Sequence, residues 1–222
     1  MPRLLFEKTG NAVWISHLDL MRVFQRAFRR AGIHIWHSQG FSPRAHVSIA
    51  LPLSVGTESV CEILEFELAE GFTMELNEIL QKVNEALPTG VRVTDIWENG
   101  RKLKELTHLD AVLTLEYDQG VPERAAEEIT AFFTSGDPIL VPKKSKSGKM
   151  TDLDIAPMLL KCTAEQIDTQ TLVLHVRVCA QNPSLNPMLL AEALRIHLPH
   201  LIPDFCKARR LDVLDQEGKS FR

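Results

Sequence analysis

The residues best suited to chemistry in this chain fall between Trp14 and Gly56. Arg22, Arg26, Arg29 and Arg30 stand at i, i+4, i+7 and i+8. On a helix that spacing lines up forked donors in one stripe, opposite Phe24 and Phe28, and such a stripe suits phosphates. The competing assignment is a solvated face whose arginines are neutralised by Glu65 and Glu67 of a nearby strand. Downstream, the run Ser38-Gln39-Gly40-Phe41-Ser42-Pro43-Arg44 combines a glycine free to take positive φ, two hydroxyls, an aromatic ring and a guanidinium. Successive N–H groups there can converge on an anion while Phe41 supplies a stacking face, the logic of single-stranded nucleic-acid recognition. The same residues are also ordinary turn chemistry.

A third cationic cluster, Lys143, Lys144, Lys146 and Lys149, lies on a Lys/Ser/Gly-rich connection, a cationic flap able to follow a nucleic-acid backbone. It lacks the G-x-x-x-x-G-K-[ST] spacing of a nucleotide-binding loop. Four of the eight histidines lie between positions 17 and 46. His17, beside the capping residue Ser16, makes with His46 and Arg44 a candidate acid/base pair for RNA cleavage. Against it stands a structural histidine at a helix cap, because no nucleophile or positioned partner accompanies it. His34 and His37 are three residues apart in an extended segment, so alternation puts them on opposite faces, where they do not chelate one ion. No metal site and no cofactor is expected.

The elements that must position these groups are read from hydrophobic periodicity. Residues 3–9 form a short strand. Ser16, with Asp19 three residues on, caps a helix that ends at Gly32. Residues 33–37 and 45–51 are extended on either side of the Gly40–Pro43 turn. Residues 62–69 alternate as a strand. Residues 74–87 are amphipathic through Leu76, Ile79, Leu80, Val83 and Leu87, and residues 91–97 close the unit. The expected core is Phe24, Phe28, Leu64, Phe66, Leu80 and Val83. A similar order recurs with a strand at 111–117, a helix opened by Pro122, strands at 139–144 and 172–178, a helix after Asn186-Pro187 and a last strand at 208–214. The expectation is an α+β fold of two tandem ferredoxin-like βαββαβ units with antiparallel sheets, at 1–100 and 108–222, joined by residues 99–109.

Composition limits the classes of function. The chain has 222 residues, 45% of them hydrophobic, and a formal net charge of −4. Residues 1–50 carry seven Lys/Arg against two acids, and residues 51–140 carry six against eighteen, so a phosphate-bearing partner would meet the basic part and be repelled by the middle. The four cysteines have no C-x-x-C spacing, and no apolar run approaches the roughly 20 residues that span a bilayer. A cytoplasmic protein with no membrane partner is expected.

The segments Ile15-Ser16-His17-Leu18-Asp19-Leu20-Met21-Arg22, Ser38 to Arg44 and Leu51-Pro52-Leu53-Ser54-Val55-Gly56 resemble the radical-SAM-linked domain family. Its members occur beside or fused to B12-binding radical-SAM proteins and near ribonuclease E/G-type genes. The resemblance implies a radical-SAM protein as partner. The chain itself has no C-x-x-x-C-x-x-C run for an iron–sulfur cluster and no G-x-G-x-x-G, which excludes it as the radical-SAM catalyst. The residues together favour recognition over catalysis: an RNA-binding accessory module, for structured RNA such as tRNA or rRNA, that assists a radical-SAM RNA-modifying partner. The alternatives are an RNA-processing or RNA-modifying enzyme of endoribonuclease type using His17, and a protein-only adaptor whose acidic middle docks a basic partner.

Overall fold

A computed structural model describes residues 1–144, 148 and 150–222. The chain divides into two compact units, Met1–Leu103 with Arg222, and Lys104–Phe221. Both are mixed α+β, with antiparallel strand pairs and, among the described residues, four α-helices in all.

In the first unit the order is β1 (Arg3–Lys8), a 3-10 turn (Gly10–Trp14), α1 (His17–Arg30), β2 (Val47–Ile49), β3 (Thr57–Phe66), α2 (Leu76–Ala86) and β4 (Val91–Trp97). The strands lie side by side as β4-β1-β3-β2, with Leu4 opposite both Leu64 and Ile96, and Ile49 opposite Leu64. Helix α1 starts where its cap allows. The Ser16 hydroxyl accepts the Asp19 N–H at 3.2 Å and donates to the Asp19 carboxylate at 2.7 Å, satisfying one of the helix's orphan donors. Those bonds, with Arg22 next in importance, hold the Asp19 carboxyl below its ordinary range.

Leu20, Phe24, Ala27 and Phe28 give α1 its buried stripe, and Phe24 meets Phe6 edge to face at 4.7 Å while Phe28 lies 4.9 Å from Phe66. Of the expected core, Phe24, Phe28, Leu64, Phe66 and Val83 are buried, but the fully buried residue of α2 beside Val83 is Ile79; Leu80 only packs at the margin. Asn84 of the same helix ties down β4, donating to the Val93 carbonyl at 2.9 Å and accepting its N–H at 2.8 Å.

The second unit runs β5 (His108–Glu116), α3 (Ala125–Thr134), β6 (Leu140–Lys144), β7 (Met150–Asp154), β8 (Leu159–Gln166), β9 (Thr171–Cys179), α4 (Met188–His197) and β10 (Phe205–Leu214). Its sheet reads β10-β5-β9-β8, and β6 pairs with β7 in a separate two-stranded sheet. Two sequence expectations change here. The segment 139–144 is a hairpin arm outside the main sheet, and the strand beside β9 is β8, which periodicity did not single out. Only Cys162 of β8 is buried, so this end strand lacks the apolar alternation that marks a half-buried strand. The side chain of Asp154 locks the hairpin base by accepting the Ile139 and Ala156 N–H groups at 2.9 and 3.0 Å.

No helix among the described residues is long and apolar enough to cross a membrane.

Candidate functional site

Between α1 and the segment that follows it lies an open groove of about 830 Å³. One wall is a row along α1: Leu18, Met21, Arg22, Gln25, Phe28 and Arg29. The other wall comes from the chain after the helix. Gly32 turns it, and residues 33–37 run out and return through 43–47 as a hairpin closed by a single bridge, His37 to Ala45, while another bridge ties Ile35 to Leu68 after β3. The Trp36 carbonyl accepts the His46 N–H at 2.8 Å, the Arg44 carbonyl accepts the Ser38 N–H at 3.0 Å, and the Ser38 hydroxyl accepts the Arg44 N–H at 3.0 Å. Ser38 therefore works as the brace of the loop. At the tip Gly40 takes φ +129°, and Gln39, Phe41, Ser42 and Arg44 are exposed, the Phe41 ring completely.

The groove has an apolar floor and a basic rim. Phe28, Ile33, Ile35 and Val47 are buried beneath it, while Arg22, Arg29, His34, His37 and Arg44 stand exposed around it. The four-arginine stripe is thus divided. Arg22 and Arg29 share the groove with Arg44. Arg26 is exposed but lies outside it, and the Arg30 guanidinium turns the other way to donate to the Ala86 carbonyl at the end of α2. Helix geometry explains the division: at about 100° per residue Arg29 sits close to Arg22 on the groove side, and Arg30 about 80° round on the far side.

The acids proposed as neutralising partners are engaged elsewhere. Glu65 holds Arg3 through two bonds of 2.8 and 2.6 Å, and Glu67 holds His46 at 2.5 Å. Arg22 donates to Asp19 at 2.7 Å, an exposed pair that contributes little stability and exchanges readily. Among the described residues Arg29 and Arg44 make no ion pair.

The histidines are arranged differently from the sequence expectation. His17 and His46 share neither a hydrogen bond nor the groove. His46 lies edge-on to Trp36 at 5.7 Å as well as against Glu67, and His17 Nδ1 is buried with no hydrogen-bond partner. His34 and His37 both line the groove, contrary to strict alternation, because the segment is paired only at isolated bridges and does not follow a regular pleat. His34 is stacked on Phe72 at 4.9 Å and 21°. His37 Nδ1 lies 2.8 Å from the Ile35 carbonyl, and a carbonyl only accepts, so that nitrogen carries the proton and Nε2 is left for other contacts.

Among the described residues no group of three or more His, Cys, Asp and Glu could hold a metal ion. The thiols are no better placed for chemistry: burial pushes Cys162 up to about 12 and Cys206 up to about 11, away from the reactive thiolate. Of the lysine cluster, Lys143 is exposed on β6, and the backbone of Lys144 pairs with Met150. Lys146 and Lys149 lie outside the described residues.

Leu18, Met21 and Gln25 are groove residues that the sequence did not single out, and His34 and His37, weighed there only as metal ligands, join them. One signal for the helical wall was present, since positions 18, 22, 25 and 29 form a single helical row.

The model of a family described as "Uncharacterized protein conserved in bacteria (DUF2344)" matches residues 2–187. The chain belongs to this family. The matched span contains the whole groove. No curated protein matches the chain in sequence. Among solved structures, a chain of the "Cbf5-Nop10-Gar1 Complex" is similar over 96% of this chain and 48% of its own length, with a TM-score of 0.50 and 8% identity. A chain of the "archaeal box H/ACA sRNP Nop10-Cbf5 complex" is similar over 94% of this chain and 46% of its own, at TM-score 0.47 and 10% identity. A chain of an "H/ACA RNP bound to a substrate RNA containing 2'-deoxyuridine" gives 94%, 46%, 0.48 and 8% in the same order. The DUF2344 chain spans about half the length of these solved chains, and the likeness to the first, at 8% identity, is one of fold alone.

Proposed function

We propose that this DUF2344 protein is an RNA-binding accessory module whose contact surface is the groove between α1 and the 36–46 hairpin. The observation that carries the reading is the convergence of Arg22, Arg29 and Arg44, from two separate chain segments, on one open groove, with Arg29 and Arg44 free of ion pairs among the described residues. Guanidinium forks suit phosphate oxygens, and the exposed Phe41 at the hairpin tip adds a face on which an unpaired base can stack. Ser38 and Gly40 shape the loop, while Gln39 and Ser42 supply exposed polar groups beside it. Arg26 adds an exposed charge on α1; the sequence cluster Lys143, Lys144, Lys146 and Lys149 is a separate proposed cationic contact for a long RNA such as tRNA or rRNA, and Arg30 belongs to the α2 contact.

The architecture is read as two tandem ferredoxin-like units, at 1–100 and 108–222. The strand orders β4-β1-β3-β2 and β10-β5-β9-β8 support that reading, with the β6–β7 hairpin as an insertion in the second unit. A radical-SAM RNA-modifying protein as the partner, and a place in the cytoplasm, rest on the sequence resemblance and composition. Recognition is favoured over catalysis because His46 is held by Glu67 away from the groove and His17 has no reacting partner.

The test is fluorescence anisotropy with labelled single-stranded RNA. Arg29→Ala and Arg44→Ala should each weaken binding about tenfold, the loss of one charge-assisted contact of about 1.4 kcal/mol, and Arg30→Ala should leave it unchanged. Equal losses in all three, or no binding of the wild type at low salt, would overturn the proposal.

A further inference from the structure

The groove is more than a track for phosphates. A surface that only follows a nucleic-acid backbone needs polar and cationic walls, whereas here the walls also carry accessible apolar side chains, exposed Leu18 and half-buried Met21 on α1 and exposed Pro43 on the hairpin, above the buried Phe28, Ile33, Ile35 and Val47. An inorganic anion or a sugar-phosphate would leave Leu18, Met21 and Pro43 in contact with water, whereas a flat apolar body covers them. About 830 Å³ also falls in the range of roughly 300–1,000 Å³ typical of small-molecule sites. Two groups on the walls can address the edge of such a body. The Gln25 amide offers both a donor and an acceptor, and His37, with Nδ1 turned to the Ile35 carbonyl, leaves Nε2 for a polar contact.

We infer that the groove is a subsite for one unpaired nucleotide. Its base lies against Leu18, Met21 and Pro43, its edge meets Gln25 and His37, and its phosphates are held by Arg29 and Arg44. This rests on the RNA-binding reading and adds to it a dependence on the base itself.

The experiment compares a five-nucleotide uridine RNA with an abasic oligomer of the same length and phosphate number, titrated against the full chain at one salt concentration. The base-bearing RNA should bind about tenfold more tightly, in line with the contribution of a stacked base. Gln25→Ala, a change that favours helix, should shrink that ratio without changing how either oligomer responds to salt. Uridine 5′-monophosphate should displace the labelled RNA at concentrations where ribose 5-phosphate and inorganic phosphate do not. Equal binding of both oligomers would overturn the subsite and leave the RNA-binding reading standing. Displacement by a long-chain alkyl phosphate in preference to the mononucleotide would overturn it in favour of an amphiphile. Binding of neither oligomer at low salt would overturn the subsite together with the reading beneath it.

Discussion

Ile79 and Leu80 are neighbours on α2 with side chains of equal carbon count, yet only Ile79 is fully buried, while Leu80 packs at the margin of the core. Replacing each by alanine removes the same three carbons, so the difference between the variants reports burial. For Ile79→Ala the transfer loss is about 0.8 kcal/mol per carbon, near 2.4 kcal/mol, and the cavity left among the fully buried side chains raises the cost to about 3–4 kcal/mol. Leu80→Ala exposes a site already half open to water, which leaves no sealed cavity, and costs about 1 kcal/mol. Urea unfolding followed by circular dichroism reads the contrast. With an m-value near 2 kcal/mol/M, the midpoint falls by about 1.5 M for Ile79→Ala and about 0.5 M for Leu80→Ala. Equal shifts, or a larger one at Leu80, would refute the packing described for α2.

Asn84→Ala removes the two bonds that bracket Val93 and leaves that residue's N–H and carbonyl without these partners. A loss of about 1–3 kcal/mol is expected, with hydrogen exchange in β4 accelerating more than in β5, and unchanged exchange at Val93 would contradict it. At alkaline pH the thiols of Cys162 and Cys206, raised by burial from 9.0 to about 12 and about 11, and the Tyr117 phenol, raised from 10.0 to about 12 first by burial and then by the neighbouring Cys206 and Asp204, stay protonated in the folded chain after the unfolded chain has ionised. Their contribution to stability is therefore complete below about pH 9 and is lost as pH rises toward about 12. The melting temperature should fall across pH 9–11, and a flat profile would contradict the assignment. Phe41→Ala, at a fully exposed position, should leave the melting temperature unchanged while weakening single-stranded RNA binding about tenfold, and loss of stability would show instead that the ring is structural.

Much of the first unit was legible in the sequence because its signals are local. Ser16 and Asp19 mark the start of α1, and Leu20, Phe24, Ala27 and Phe28 mark its buried side, so the helix and the phenylalanine core follow from spacing alone. What could not be read is where a second wall meets that helix. Arg22, Arg26, Arg29 and Arg30 look equivalent as a row, and only the return of residues 32–47 beside α1 separates Arg22 and Arg29 from Arg30. His34 and His37 were assigned opposite faces by a rule that holds for regular strands, and their segment is bridged only singly. The same limit hid β8, an end strand with one buried side chain, and drew attention to residues 139–144, whose apolar start serves a hairpin. Ile79 against Leu80 is a finer case: both fit the helical period, and their order of burial depends on how α2 is rotated over the sheet.

The central claim is that Arg22, Arg29 and Arg44 act together on phosphates, and the salt dependence of single-stranded RNA binding measures that most directly. With about 0.7 counterions released per phosphate contact, three contacts give a slope of log affinity against log salt near −2, and the Arg29→Ala/Arg44→Ala double variant should flatten it to about −0.7. A slope unchanged in the double variant would contradict the account, as would an equally flattened slope in Arg30→Ala.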